Sequence, residues 1–276
     1  MTRKAFVIGH PIAHSRSPLI HGTWLAAYGI DGSYEPIDVE PSALPAFLAR
    51  MRGGEFVGGN VTIPLKEPVF TLCDSVDPLA RTIGAVNTLV ASGTQVHGFN
   101  TDYMGFLGNL DQQAPGWSDG LDTAIVLGAG GASRAVLVAL RERGVNTIHL
   151  LNRTLEKAVE LATAMGASVR AGSLTAFPVV APGAGLVVNT TAVGMHGSAF
   201  PELPLALLPR TALVTDIVYV PLVTPLLAEA RALGLQTVDG LGMLLHQAAP
   251  GFEAWFGVRP QVTDDLRRRV EATLGQ

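Results

Sequence analysis

Apolar runs alternate with amphipathic segments along the first hundred residues. "KAFVIG" is a short apolar run that ends at Gly9, and "SPLIHGTWLAAYG" carries apolar residues at helical spacing from Leu19 to Tyr28. The alternation continues with "GSYEPIDV" as a strand, "PSALPAFLARMRGG" as a helix and "FVGGNVTIP" as a third strand. Strands that alternate with helices predict a parallel α/β sheet. "GAVNTLVASGTQVHGFNTD" departs from this, because its two apolar runs around "ASGTQ" predict an antiparallel hairpin.

A second alternation follows the polar, turn-rich stretch "DQQAPGWSDGLD", which predicts a domain boundary. It consists of the strand "TAIVLG", a glycine loop, the helix "SRAVLVALRERG", the strand "TIHLLN" and the helix "TLEKAVELATAMG". "GLVVNTT", "TALVTDIVY" and "LQTVDG" are further strand candidates and complete the pattern of a Rossmann-like domain.

Two amphipathic helices, "MLLHQAAPGFEAWFG" and "VTDDLRRRVEATL", follow Gly240 without strands of their own. We therefore predict that they pack back on the first domain and make it discontinuous. The predicted domains are residues 1–105 with 240–276, and residues 106–239. The fold class is α/β, with a mixed, mostly parallel sheet in the N-terminal domain.

Composition and charge narrow the class of partner. The chain has 276 residues, of which 48% are hydrophobic and 15% charged, and its net charge is −4. The absence of a basic stripe argues against nucleic acid or an anionic membrane and favours a small molecule. Cys73 is the only cysteine, which excludes an intrachain disulfide and a cysteine-based metal cluster. No signal peptide or membrane-spanning run is recognisable, so we expect a cytoplasmic protein.

The glycine loop "IVLGAGGASRA" places Gly128, Gly130 and Gly131 between a strand and a helix. Backbone amides at such a helix start can hold a pyrophosphate, and the missing side chains let it approach closely. Ser133 occupies the third glycine position of the dinucleotide fingerprint, which is a departure from it. We predict dinucleotide binding; the alternative is a strand-to-helix turn that needs glycine for its backbone alone.

The end of the next strand selects the cofactor. An NAD-binding fold usually places a carboxylate there to hold the ribose 2′-hydroxyl, whereas this chain has Asn152, Arg153 and Thr154. A guanidinium and a hydroxyl suit a 2′-phosphate, and Lys157 adds charge one helical turn later, so the sequence predicts NADP. The alternative is a surface arginine beside a threonine that merely caps a helix.

Neutral polar residues follow two strands of the first domain. Ser15 and Ser17 alternate after the first strand, and Asn60 and Thr62 project from the "NVT" strand toward its C-terminal end. Hydroxyls and helix-start amides make a seat for a small carboxylate, so these residues predict a polyhydroxylated acid as substrate. The alternative for Ser17 is a helix cap.

Lys66 and Asp102 are the charged candidates for chemistry in this domain. A lysine held near a carboxylate can give or take the proton that accompanies hydride transfer at a carbinol carbon. The alternative is a surface lysine near a helix start. His10, His14 and His21 compete as acid–base or metal groups, but no acidic cluster accompanies them, so no metal is expected.

The motifs taken together resemble the shikimate dehydrogenase family along nearly the whole chain. They are "GHPIAHSRSP", "GGNVTIPLKEPV", "GAVNTL", "GFNTDYMGF", "GAGGASRA", "NRT", "NTTAVGM", "DIVYVPLVTPLL" and "DGLGMLLHQA", in the order of that family. The resemblance implies NADP-dependent interconversion of 3-dehydroshikimate and shikimate in the chorismate route to aromatic amino acids. It also implies a substrate-binding catalytic first domain, an NADP-binding second domain and a cleft between them.

The resemblance further assigns roles to single residues. It makes Lys66 the proton donor and acceptor, at the mouth of the cleft across from the nicotinamide, with Asp102 paired to it. The implied substrate contacts are Ser15, Ser17, Asn60, Thr62, Asn87, Thr101, Tyr219 and Gln247. The implied NADP contacts are Gly128, Ala129, Gly130, Gly131, Ala132, Asn152, Arg153, Thr154, Lys157, Ile217 and Gly240.

Two rival functions stay open at this point. One is a quinate/shikimate dehydrogenase or a related paralogue with another preferred substrate, although the pair Ser15 and Ser17 resembles the shikimate-specific branch. The other is a non-catalytic NADP-binding regulator, against which the presence of both Lys66 and Asp102 speaks. The sequence leaves the oligomeric state open between monomer and homodimer.

Overall fold

The structure, a computed structural model, describes residues 2–201 and 203–274. The chain divides into two compact α/β units. The first runs to Asp102 and includes Leu245–Val270, and the second consists of Tyr103–Leu244 with the residues from Glu271 onward. The α/β fold class is confirmed. The assignment of substrate to one domain and NADP to the other stays a prediction here.

The first unit is built on a mixed six-stranded sheet with strand order β2-β1-β3-β5-β6-β4. Strand β1 is parallel to β2 and β3, β5 is antiparallel to β3 and β6, and β4 is parallel to β6. Its elements are β1 (Arg3–Gly9), α1 (Ser17–Ala27), β2 (Gly32–Asp38), α2 (Leu44–Arg52), β3 (Gly58–Val61), α3 (Lys66–Leu72), β4 (Ser75–Val76), α4 (Pro78–Ile83), β5 (Thr88–Ser92) and β6 (Gln95–Phe99), with a 3-10 turn at Pro41–Ala43. The structure thus contains the antiparallel hairpin predicted from the two apolar runs around "ASGTQ".

Strand β3 lies in the middle of this sheet, yet only one of its four residues has an apolar side chain. All four of its residues are buried, although two of them are glycines and one is Asn60. A Cβ at Gly59 would overlap the ring and carbonyl of Phe6 on the neighbouring strand, so glycine is required for close approach. The Phe6 ring packs edge-on against Phe47, with centroids 4.8 Å apart, on one side of the sheet.

The second unit contains a parallel six-stranded sheet with strand order β13-β12-β10-β7-β8-β9. The elements that follow β6 are α5 (Asp102–Gln113), β7 (Thr123–Leu127), α6 (Gly131–Glu142), β8 (Thr147–Asn152), α7 (Leu155–Met165), β9 (Val169–Ser173), α8 (Phe177–Val180), β10 (Leu186–Asn189), β11 (Val193–His196), β12 (Leu213–Asp216), α9 (Pro225–Ala232), β13 (Gln236–Val238), α10 (Leu241–Phe256) and α11 (Asp264–Glu271). Short 3-10 turns lie at Leu174–Ala176, Ala181–Gly183 and Leu205–Leu207. The boundaries between the two units fall at the first residue of α5, within α10 and at the last residue of α11.

The strand order of the second sheet places a switch point beside the glycine loop. The chain leaves β7 toward β8 and β9, then returns to the other side of β7 as β10. In open parallel sheets, ligands bind outside the carboxyl ends of the strands at this reversal. Gly128 and its neighbours follow β7 at that point.

Several elements differ from the sequence-based prediction. The strand predicted across "TALVTDIVY" ends at Asp216, and the one predicted across "FVGGNVTIP" ends at Val61, because the polypeptide continues as a loop after each of these residues. Helices α4, α5 and α9 were not anticipated, and α3 entered the sequence analysis only as the helix start in the alternative for Lys66. Of these, α3 and α4 have seven and six residues, which is too short for a clear helical periodicity.

Candidate active site

A lysine–carboxylate pair joins the starts of two helices in the first unit. Lys66 is the first residue of α3 and Asp102 the first of α5, and Nζ lies 2.6 Å from Oδ2. The side chains are 29% and 13% exposed, respectively, so the pair is sheltered but open to solvent on the lysine side. A positive charge in the first turn of a helix is unfavourable to the helix dipole, so the pairing with Asp102 and not the helix accounts for this lysine.

Asn87 holds the carboxylate from the other side. Its Nδ2 donates to Oδ1 of Asp102 at 2.7 Å, and its Oδ1 accepts from the backbone N–H of Thr101 at 2.8 Å. The Thr101 hydroxyl donates to the carbonyl of Gln247 at 2.8 Å, and the side chains of Asn87 and Gln247 approach to 3.4 Å. Five residues predicted from the sequence, Lys66 among them, therefore form one hydrogen-bonded cluster.

The remaining predicted polar residues of this unit lie at the ends of neighbouring strands. Ser15 is on the loop after β1, and Thr62 is on the loop after β3. Ser17 opens α1, and its N–H donates to the Ser15 hydroxyl at 3.3 Å. The alternative that Ser17 caps the helix is wrong, because Arg16 occupies the N-cap position.

Asn60 is buried on β3, where Tyr34 of β2 reaches it across the sheet. The Tyr34 hydroxyl donates to Oδ1 of Asn60 at 2.6 Å. Burial raises the pKa of Tyr34 well above its ordinary value, against the opposing effects of hydrogen bonds with Ser17 and Asn60. The phenol is therefore neutral and keeps a proton to donate.

The three histidines near the N-terminus have separate environments. The Nδ1 atom of His10 lies 2.6 Å from Oδ1 of Asp38, and this hydrogen bond raises the pKa of His10. His14 is exposed, and His21 is fully buried. Over residues 2–201 and 203–274, no three His, Cys, Asp or Glu side chains come together in a way that could hold a metal ion.

The glycine loop of the second unit has the open backbone that a phosphate needs. Gly128 has φ of +104°, and a Cβ there would lie 2.6 Å from Cγ2 of Thr191. A Cβ at Gly130 or Gly131 would meet no atom within 4 Å, so these positions face open space. The neighbouring Ala129 and Ala132 complete the loop and the first turn of α6.

Ser133, which stands at the third glycine position of the dinucleotide fingerprint, makes hydrogen bonds that a glycine could not. Its hydroxyl accepts from the Gly130 N–H at 3.0 Å and lies 2.7 Å from the hydroxyl of Thr190. Ser133 is fully buried, and Thr190 donates onward to the carbonyl of Leu127 at 2.7 Å. The serine therefore secures the start of α6 from inside, where the fingerprint glycine would serve close packing.

The end of β8 presents unpaired positive charge. Asn152 closes the strand and donates from Nδ2 to the carbonyl of Thr154 at 2.8 Å. Arg153 and Lys157 are exposed, and neither makes an ion pair with any residue that the structure describes. Thr154 is the N-cap of α7, but its side chain makes no capping hydrogen bond, so the plain-cap alternative is not supported. A guanidinium, an ammonium group and a hydroxyl placed in this way could hold a phosphate group.

A buried carboxylate organises the loop that follows β12. Asp216 accepts from Nδ2 of Asn189 at 2.9 Å, from the Val218 N–H at 2.9 Å and from the Thr224 hydroxyl at 2.8 Å. Burial raises the pKa of Asp216, and the three donors oppose that rise. The loop carries Ile217 and Tyr219, two residues predicted for cofactor and substrate.

Gly240 lies directly against this loop. A Cβ at Gly240 would overlap the Ile217 carbonyl and lie 2.7 Å from the carbonyl oxygen of Val218. Glycine is therefore required there by close backbone approach.

The sequence analysis missed several buried polar residues whose hydrogen bonds hold the predicted residues, or the loops that carry them, in place. They are Tyr34 and Thr88 in the first unit, and Thr190, Asn189 and Asp216 in the second. Each is a strand residue, or follows a strand by one position, whose side chain turns toward a partner on another strand. No spacing along the chain reveals such a partner, because it depends on strand order and register.

Comparison with known proteins supports one family throughout. Residues 7–89 match the shikimate dehydrogenase substrate binding domain, residues 116–241 the shikimate/quinate 5-dehydrogenase family and residues 240–270 the shikimate 5′-dehydrogenase C-terminal domain. The NADP(+) shikimate dehydrogenase of Mesorhizobium japonicum is 58% identical over 99% of this chain and 97% of its own length.

Two solved structures are similar over the whole fold. Shikimate 5-dehydrogenase from Thermus thermophilus, in complex with NADP(H) and shikimate, is 41% identical with a TM-score of 0.85, covering 97% of this chain and 99% of that one. Quinate dehydrogenase from Corynebacterium glutamicum, in complex with NAD, is 31% identical with a TM-score of 0.88, covering 100% and 99%.

Proposed function

Because the chain belongs to the shikimate dehydrogenase family, we propose that it catalyses the reversible, NADPH-dependent reduction of 3-dehydroshikimate to shikimate in the route to chorismate and the aromatic amino acids. The observation that carries the proposal is the Lys66–Asp102 pair, held in place by Asn87. A non-catalytic NADP-binding regulator would have no use for a sheltered ammonium group fixed in this way.

The first unit supplies the groups that would orient the acid. Ser15 and Ser17 offer hydroxyls at the start of α1, where they suit the substrate carboxylate. Asn87, Thr101 and Gln247 lie around the ion pair and suit the ring hydroxyls. Asn60, Thr62 and Tyr219 are proposed as further contacts.

Lys66 would move the proton. When bound, NADPH supplies the hydride that reduces the carbonyl carbon. An ammonium group has three N–H donors, and Asp102 occupies one of them, so others remain for the carbonyl oxygen of the substrate. Proton donation from Nζ to that oxygen as negative charge develops completes the alcohol, and the 29% exposure of the side chain gives solvent a path to reprotonate it.

The glycine loop and the charges after β8 would hold NADP. Gly128, Ala129, Gly130, Gly131 and Ala132 fit the pyrophosphate, since the loop is open above Gly130 and Gly131. Asn152, Arg153, Thr154 and Lys157 suit the ribose 2′-phosphate, and Ile217 and Gly240 are proposed to contact the nicotinamide end.

A direct assay tests the whole proposal. We expect NADPH absorbance to fall when the purified protein meets 3-dehydroshikimate, and to rise when NADP meets shikimate. A protein that binds NADPH and turns over neither acid would be the regulator of the rival hypothesis.

Cofactor choice provides a sharper prediction. We expect NADP to be preferred over NAD, and Arg153→Asp to lower kcat/KM for NADP by about tenfold to a hundredfold, because one charge-assisted hydrogen bond contributes about 1.5–3 kcal/mol. The kcat/KM for NAD should change little. Arg170→Asp, at an exposed position on β9 of the same sheet, is the matched control and should leave the preference intact. Equal use of both cofactors by the unmodified enzyme would remove the 2′-phosphate assignment.

Substrate choice separates shikimate from quinate, which carries an extra hydroxyl on a saturated carbon beside the carboxylate. The similarity to a quinate dehydrogenase makes this the favoured rival. A pocket fitted around the Ser15 and Ser17 hydroxyls should leave that added group crowded or unpaired, at about 1–3 kcal/mol. We expect kcat/KM for shikimate to exceed that for quinate by about tenfold to a hundredfold or more. Steady-state rates at saturating NADP decide this, and comparable values would favour a dual-substrate enzyme.

We further propose that the enzyme acts in the cytoplasm, as a monomer or a homodimer. No helix in the described part of the chain is long and apolar enough to cross a bilayer. Cell fractionation tests the location, and light scattering on the purified protein distinguishes the two oligomeric states.

A further inference from the structure

The hydroxyl groups of Tyr34 and Thr88 belong to a buried series of hydrogen bonds that leads to the lysine–carboxylate pair. Tyr34, Asn60 and Thr88 lie on β2, β3 and β5, and all three are at least nine-tenths buried. Asn60 and Thr88 are directly opposite each other in the β3–β5 register, so their side chains share one face of the sheet. Tyr34 is in register with Ala5 of β1, whose small side chain leaves room for the phenol to reach across to Asn60.

In this series of hydrogen bonds, the chemical groups identify which atom donates and which accepts. The Nδ2 atom of Asn60 donates to the backbone carbonyl of Asn87 at 3.2 Å, and a carbonyl can only accept. The amide of Asn60 is therefore oriented with Oδ1 toward Tyr34, whose neutral hydroxyl donates to it at 2.6 Å. The second bond of Nδ2 goes to the Thr88 hydroxyl at 3.3 Å.

The direction continues from Thr88 to the ion pair. Thr88 accepts from Asn60, and its hydroxyl donates to Oδ1 of Asn87 at 2.9 Å, which is nearer than its other polar neighbour, the Thr101 hydroxyl at 3.2 Å. That oxygen also accepts the Thr101 N–H, so Nδ2 of Asn87 must face Asp102, whose carboxylate can only accept. All donors in the series thus point from the phenol toward the carboxylate that binds Lys66.

We propose that Tyr34 and Thr88 are positioning residues for the reaction: they lock the amides of Asn60 and Asn87 in one orientation and, through Asn87, fix the carboxylate that holds Lys66. This inference rests on the proposed function of Lys66. Neither residue hydrogen-bonds to the ion pair itself. Thr88 acts through Asn87, whereas Tyr34 acts through Asn60 and has Ser17 as its other hydrogen-bond partner. Without the Thr88 hydroxyl, Asn60 loses one acceptor and Asn87 one donor, so both amides gain freedom to rotate.

The test compares substitutions that keep shape and remove one hydroxyl. Thr88→Val should lower kcat by about fivefold to fiftyfold and change KM for 3-dehydroshikimate by less than about threefold, because the position of the proton donor matters most in the transition state. Thr88→Ser restores the hydroxyl and should recover kcat to within about twofold of the unmodified enzyme. Tyr34→Phe should lower kcat by about threefold to tenfold. Tyr28→Phe, which removes an exposed tyrosine hydroxyl from the end of α1, is the matched control and should leave kcat unchanged.

A double substitution distinguishes positioning from general loss of stability. Because both hydroxyls act through the same series of bonds, Tyr34→Phe should lower kcat by less than about twofold further in the Thr88→Val background. Independent effects that multiply fully would overturn the proposal, as would Thr88→Ser being as slow as Thr88→Val. An unmodified enzyme without activity on 3-dehydroshikimate would instead refute the proposed function, whereas an active enzyme indifferent to Thr88→Val would refute this inference alone.

Discussion

Replacing Lys66 with alanine should lower kcat by about 10²–10⁴, with KM for 3-dehydroshikimate changed only by a modest factor. The Lys66 ammonium group is held by a hydrogen bond to the Asp102 carboxylate. It acts mainly in the transition state, when negative charge develops on the substrate oxygen, so its loss affects turnover more than substrate binding. Steady-state kinetics at saturating NADPH measure both constants. A variant that retained turnover and showed only a raised KM would make Lys66 a binding residue and assign the proton to another group.

Lys66→Arg should be nearly as slow as the alanine variant. A guanidinium keeps the positive charge and can still bind Asp102, but it stays protonated near neutral pH and cannot shuttle a proton. The comparison therefore separates charge from proton transfer. Lys4→Ala, at an exposed position on β1, is the matched control and should retain full activity.

Acid conditions should destabilise the protein through a single buried histidine. His21 is fully buried, and neither ring nitrogen makes a hydrogen bond with a residue that the structure describes. Its ring stacks on Tyr34 with centroids 4.0 Å apart, inside a cluster of Trp24, Phe252 and Trp255. Burial lowers the pKa of His21 to about 3, although the adjacent Asn60 side chain opposes that shift.

The direction of the effect follows from proton binding. Below its ordinary pKa of 6.5, His21 binds a proton in the unfolded chain, whereas in the folded protein it stays neutral until about pH 3. Above pH 6.5 neither state binds this proton and His21 does not affect the free energy of unfolding. As the pH falls from 6.5 toward 3, the unfolded chain gains the proton first, and the free energy of unfolding decreases. At about pH 4 the loss is about 3 kcal/mol, since each unit of pKa difference corresponds to about 1.4 kcal/mol.

His21→Phe should remove this sensitivity. The phenylalanine suits an aromatic cluster and leaves no ring nitrogen unpaired, so stability at pH 7 should be maintained or increased. Urea unfolding at pH 7 and at about pH 4 should show a smaller acid-induced loss in the variant than in the unmodified protein, by about 3 kcal/mol. His14→Gln, at an exposed position, should behave like the unmodified protein. Equal losses in His21→Phe and the unmodified protein would contradict the pKa argument.

His21 also shows where reasoning from the sequence reaches its limit. The sequence offers His10, His14 and His21 as equivalent candidates for acid–base chemistry. The structure separates them into a histidine paired with Asp38, an exposed one and a buried core residue. Burial of a histidine depends on which helices cover the sheet, and that depends on residues as distant as Trp255.

The predicted elements that agree with the structure are those with a strong local pattern. Strands β1, β7 and β8 and helices α6 and α7 were predicted because an apolar run or a helical stripe identifies each on its own. Short helices such as α4 were missed. In such segments, the contacts of the folded chain and not the local periodicity decide the conformation.

The sequence by itself determined the α/β class and the residue types available for chemistry, because short segments carry them: a glycine loop after a strand, and Arg153 where NAD-binding folds carry an acid. The family was identified by resemblance, from motifs such as those around Lys66 and Asp102. Only the tertiary structure decided which of these residues meet. The pairing of β3 with β5 brings Asn60 opposite Thr88, and the cluster around Asn87 joins residues as far apart in the chain as Lys66 and Gln247. Strand order and register are set by the burial of whole sheet faces, a property of the assembled chain that no single segment contains.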